Sequence, residues 1–86
     1  MKTIVNNMTE KSMKLIDLKE GQKGIIISIS GGRNVIQRLT DMGLTPGTEI
    51  KMLRNGPLCP VEISVRGFNL VLGNGLAAKI LVKVKE

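Results

Sequence analysis

The chain has 86 residues, a formal net charge of +6 and 42% hydrophobic residues, nearly all Ile, Val, Leu and Met, with Phe68 as the only aromatic. That length makes one small domain with an aliphatic core and too little chain for a deep catalytic cleft. A single cysteine, Cys59, and no histidine exclude a disulfide framework, a Cys/His zinc site and imidazole catalysis.

No apolar run is long enough to span a bilayer, and Thr3-Ile4-Val5 falls far short of the apolar region of a signal peptide. A reducing cytoplasm is the expected compartment. The positive charge favours nucleic acid, anionic lipid or an acidic protein surface without choosing among them.

Residues 1–13 show no sustained period and read as a flexible tail, followed by one domain over 14–86. Leu15, Ile16 and Leu18 lead into Glu20-Gly21 as a short helical or extended segment that lays its leucines over one end of the core. The β-branched run Ile25-Ile26-Ile27-Ser28-Ile29 predicts a first strand, with its odd positions inward. From Asn34 a helix of about two turns is expected. Asn34 and Gln37 have capping-box spacing, and Val35, Ile36, Leu39 and Met42 form one apolar stripe. Gly43 is placed to end it with a positive φ, and Leu44 to fold back onto Leu39. Isolated helices this short are marginal in water, so a sheet must supply the surface it docks on.

After the Pro46-Gly47 turn, Ile50 and Met52 share one side of a second strand over 48–54, which Asn55-Gly56-Pro57 breaks. Val61-Glu62-Ile63-Ser64-Val65-Arg66 alternates cleanly and predicts a half-buried third strand. A short strand over 69–72, a turn or single helical loop through 73–78 and a last strand over 80–84 complete the order. Five short strands and one short inserted helix give a mainly β fold, a small sheet rolled into a partly closed barrel.

Chemistry-bearing motifs are sparse. Gly73-Asn74-Gly75 lacks both the third glycine and the βαβ setting of a dinucleotide site, so it reads as a turn. No pair of carboxylates has metal-holding spacing, and without imidazole a transition metal has only Cys59 and carboxylates as side-chain ligands. A small buried thiol is the plainer reading of Cys59, and a contact or redox role the sharper one. Lys79, Lys83 and Lys85 share one face of the last strand, guarding an edge or forming a basic docking surface. One aromatic is too few for the stacking platforms of single-stranded nucleic-acid binders, so nucleic acid is not the expected partner. No nucleophile–base pair is present, and the chain is not expected to be an enzyme.

With these residues in view, the chain resembles the FeoA family of small cytosolic proteins that accompany the ferrous-iron transporter FeoB. The segment Arg38-Leu39-Thr40-Asp41-Met42-Gly43-Leu44-Thr45-Pro46-Gly47-Thr48-Glu49-Ile50 is similar to the family's R-L-x-x-M/L-G-L-x-P-G-x-x-I/V signature. Pro57-Leu58, Pro60 to Gly67, Leu70, Leu72, Ala77 and Ile80 continue the likeness. The chain departs from it in carrying only Cys59 between Leu58 and Pro60, and Gly73 after Leu72.

The resemblance implies an SH3-like barrel with no cofactor of its own and a non-enzymatic role in ferrous-iron uptake. That role is docking on the cytosolic part of the FeoB-type transporter, without direct membrane insertion. The expected docking residues are Arg38, Met42, Leu44 and Pro46 at the helix end, with Leu58 and Cys59 in the following loop, and such a surface also allows weak self-association. The same fold closes metal-dependent repressors of the diphtheria-toxin-repressor type. A transition-metal sensor is therefore the alternative reading.

Overall fold

A computed structural model describes residues 12–85. Six strands form one antiparallel sheet: β1 (Ser12–Lys14), β2 (Lys23–Ile29), β3 (Glu49–Gly56), β4 (Cys59–Val65), β5 (Phe68–Leu72) and β6 (Ile80–Lys85). Their spatial order is β1-β6-β2-β3-β4-β5, so the sheet is open, with β1 and β5 at its edges. The main helix, α1 (Arg33–Asp41), links β2 to β3, and a single turn of helix, α2 (Asn74–Ala77), links β5 to β6.

The strand count corrects the five expected from periodicity. The extra strand is β1, whose Ser12 and Met13 the period leaves in the tail, although they pair with Lys83 and Val82 of β6. Three residues are too few to show an alternation, and pairing alone makes them a strand. The rest of the expected tail, residues 1–11, lies outside the described residues.

A 3-10 turn, Leu15–Asp17, follows β1 and carries Leu15 into the core, with Leu18 beside it. The Asn55 side-chain amide donates to the carbonyls of Ile16 (2.6 Å) and Leu18 (2.8 Å), tying this segment to β3. The leucines therefore cap one end of the core, as their clustering suggests.

Alternation in β3 and β4 is obeyed: Ile50, Met52, Val61, Ile63 and Val65 are all buried. In β2 the inward parity is the reverse of the expected one as far as Ile26, whereas Ile29, beyond a bulge, packs against the core as its odd position predicts. Ile26 is buried while Ile27 stands 40% exposed, because a register shift between Ile26 and Ser28 leaves Ile27 outside the ladder with β6. A run of β-branched residues on both faces carries no parity signal. Gly24 marks a close approach: a Cβ there would lie 3.3 Å from the Val82 side chain and 3.4 Å from Leu18.

The N-terminus of α1 also differs from expectation. Gly32 occupies the cap without a side-chain bond, and the Gln37 amide donates forward to Asp41 (2.9 Å) instead of back to the first turn. The C-terminus follows the sequence closely. Gly43 has φ +89°, its N–H donates to Thr40 O (2.9 Å), and the Leu44 N–H donates to Leu39 O (2.9 Å). That is a Schellman motif, with Leu39 and Leu44 both buried against the sheet.

Candidate docking site

The chain leaving α1 turns sharply through Thr45-Pro46-Gly47-Thr48, where Thr48 N–H donates to Thr45 O (3.0 Å) and Gly47 has φ +93°. Proline followed by a positive-φ glycine gives a type II turn. Gly47 N–H donates to Ile26 O (2.7 Å) and Ile26 N–H to Thr48 O (2.9 Å), so the turn is stitched to β2. The helix end is held rigidly from both sides.

On this base Met42, the α1 C-cap, keeps 38% of its surface exposed, and Ile36 keeps 40%. Half of the apolar stripe therefore faces outward. Across from Met42 lies the β4–β5 hairpin, closed by the two-residue turn Arg66-Gly67 with φ values of +52° and +85°. Positive φ at both turn residues is the twist-matched hairpin geometry, which glycine adopts freely and arginine does not. The turn starts β5 at Phe68, which stands 72% exposed. Between helix end and hairpin runs a groove of about 390 Å³, with Met42, Arg66, Phe68 and Leu70 among its lining residues. Its lining is mainly apolar, with Arg66 and Asp41 as one charge of each sign.

A second, more polar trough of about 470 Å³ includes Lys23, Gly47, Glu49, Lys51 and Arg66 in its lining, so Arg66 stands between the two. The one acid in that trough, Glu49, is paired with Lys85 at 2.8 Å. The hydrogen bond from Lys85 holds the Glu49 carboxyl below its ordinary range, with the positive charges of Lys85 and Lys23 adding to it.

Of the docking residues expected from sequence, Arg38, Met42 and Pro46 are exposed on the helix end and its turn. Leu44 is not a surface residue. It is fully buried, because the Schellman geometry that the glycine imposes drives the following residue inward. Leu58 (96% exposed) and Cys59, also exposed, lie in the β3–β4 hairpin. That hairpin is at the far end of β4 from Arg66, about 20 Å away at ~3.3 Å per strand residue. The structure thus separates the helix end from the 58–59 loop and joins it instead to Arg66 and Phe68. Two signals in the sequence pointed there: an Arg-Gly pair closing the cleanest alternation, and the only aromatic directly after it.

Cys59 is exposed and without a disulfide, against the plainer expectation of a buried thiol. Among the described residues no three of His, Cys, Asp and Glu come together, so the metal-sensor reading gains no ligand set. The lysine-bearing β6 is not an edge strand, since β1 covers it. Among the described residues no helix is long and apolar enough to cross a membrane.

The FeoA domain family model matches residues 13–84. A provisionally named Fe(2+) transport protein A of Methanocaldococcus jannaschii is 43% identical over 68 residues, 79% of this chain and 82% of that protein. The crystal structure of an iron uptake regulatory protein (FeoA) superposes with a TM-score of 0.84 at 40% identity, covering 87% of this chain and 100% of that one. Two more distant structures bear on the fold alone. Stenotrophomonas maltophilia FeoA complexed with zinc, a prokaryotic SH3 domain protein, has a TM-score of 0.71 at 23% identity, over 81% of this chain and 88% of that one. A manganese-dependent transcriptional repressor has a TM-score of 0.81 at 17% identity, over 86% of this chain and 37% of that one. The fold is the mainly β, SH3-like one, and by the match of its own sequence the chain belongs to the FeoA domain family.

Proposed function

We propose that this protein is a cytoplasmic, non-enzymatic accessory protein of ferrous-iron uptake that docks on the cytosolic part of a FeoB-type transporter. Family membership supports the link to iron transport. The observation that carries the docking reading is the groove in which Met42 and Phe68 stand exposed on opposite walls beside Arg66. Large apolar and arginine side chains around a rigid depression are the usual anchors of a protein interface. Arg38 and Pro46 extend that surface, and the Leu58-Cys59 hairpin is a separate contact about 20 Å off. Leu44 supports it from beneath.

The test is retention of detergent-solubilised transporter on the immobilised protein, performed anaerobically with and without guanine nucleotide. Met42→Glu is expected to eliminate retention while leaving circular dichroism unchanged, since the side chain is partly solvated already. Leu58→Glu separates the two contacts: loss there and not with Met42→Glu would move the site to the hairpin tip. No retention by the wild-type chain in any nucleotide state refutes the proposal.

A further inference from the structure

Charged residues guard every strand of the sheet except one. β1 carries Lys14, β2 Lys23, β3 Glu49, Lys51 and Arg54, β4 Glu62, and β6 Lys83 and Lys85. β5 reads Phe-Asn-Leu-Val-Leu and carries none. Yet β5 is an edge strand, where charge, proline or a bulge normally prevents pairing with another chain. Its ladder with β4 is regular from Val65↔Phe68 to Val61↔Leu72. Among the described residues no backbone hydrogen bond reaches it from the other side. Phe68 and Val71 are 72% and 59% exposed on it.

The pattern of free backbone groups selects the occupant. Val65 and Phe68 close a two-residue turn and so exchange both bonds of a narrow pair. Alternation then directs the groups of Leu70 and Leu72 to β4, and those of Asn69 and Val71 outward. Asn69 and Val71 flank Leu70 symmetrically. A two-fold axis through Leu70 therefore sets Asn69 of one chain opposite Val71 of the other, twice, giving four backbone hydrogen bonds with no register slip. Phe68 falls opposite the second chain's Leu72, and no charge faces a like charge along the strand. For a chain of net charge +6, β5 is the strand along which two copies meet without direct repulsion.

We propose that β5 is a self-association edge, pairing antiparallel with β5 of a second copy about Leu70 to form a continuous twelve-stranded sheet from the two six-stranded ones. This does not rest on the docking reading, although Phe68 and Leu70 also line the groove. Pairing narrows that groove, so self-association and transporter docking compete.

Sedimentation equilibrium of the purified full chain over micromolar to millimolar concentration tests the pairing. The weight-average mass is expected to rise from 9.3 kDa toward twice that value. Val71→Pro removes an outward N–H and none that β4 uses, so an edge position tolerates it. By symmetry it deletes two of the four bonds and weakens association by about 30-fold. Register is read by oxidation in a Cys59→Ser background. Leu70→Cys is expected to cross-link to its own copy, because a non-hydrogen-bonded pair sits at ~4.5 Å between Cα atoms. Val71→Cys, set opposite position 69, is expected not to. A monomer at all concentrations overturns the proposal and leaves the edge to an extended segment of another protein. Association unchanged by Val71→Pro, or cross-linking at 71 instead of 70, overturns it as well.

Discussion

Two glycines give a test in which one substitution has opposite signs for a single stated reason. Gly43 ends α1 with φ +89°, and Gly75 lies inside α2 with φ outside the positive range. A Cβ built on either meets nothing within 4 Å. Packing therefore contributes nothing at either site, and only the backbone distinguishes them. At Gly43 an alanine is forced into the left-handed region at a cost of about 1–2 kcal/mol. At Gly75 the alanine fits the helix and restricts the unfolded chain, a gain of about 0.4–1 kcal/mol. For a domain of this size each kcal/mol moves the melting temperature by about 4–8 °C. Thermal unfolding followed by circular dichroism should show Gly43→Ala melting roughly 4–16 °C lower and Gly75→Ala roughly 2–8 °C higher. Shifts of the same sign, or an unchanged melting point for Gly43→Ala, would refute the assignment of Gly43 to the turn that aims Met42.

Two further outcomes follow from the turns and the ion pair. Arg66 sits at φ +52° in a turn that favours asparagine, so Arg66→Asn is expected to raise the urea midpoint by the equivalent of roughly 1 kcal/mol with an unchanged slope. The same variant should weaken transporter retention; a more stable protein that binds as before would remove Arg66 from the docking surface. For Glu49, the folded carboxyl is held below its ordinary value of 4.5 by the hydrogen bond from Lys85. A depressed folded value means that the stabilisation is present above the unfolded value and is lost as pH falls through the folded one. The stability difference between wild type and Lys85→Met should therefore shrink as pH drops below about 4.5. A difference that stays constant from pH 7 to 3 would count against the pair.

The parts of the fold legible in the sequence are those where one face is apolar and the other polar. Val61, Ile63 and Val65 against Glu62 and Ser64 give face, strand and register, and all three apolar residues are buried. Gly43-Leu44 was equally readable, because a Schellman motif is a local pattern. The parity of β2 was not, since Ile25 to Ile29 offers nearly the same side chain to both faces and a bulge changes sides midway. The cap at Asn34 failed for a different reason: the chain from Gly31 places Gly32 at the cap, two residues earlier than the polar pattern suggests. The candidate site was half legible. The apolar residues of the 58–59 loop were expected to join the helix end, but β4 runs between them, and the hairpin that does meet Met42 starts at the strand's other end.

The last described strand has the most central consequence for how the chain is made. β6 lies between β1 and β2, pairing with both, so residues 80–85 complete a sheet whose neighbours are synthesised first. Until they leave the ribosome, β2 offers an open, uncharged run of isoleucines to any passing strand, and Leu15, Leu18 and Ile26 lack the Val82 wall they pack with. Folding of this domain therefore waits on residues 80–85, through contacts of long sequence separation that slow it. A nascent chain stalled before them is the form most exposed to aggregation.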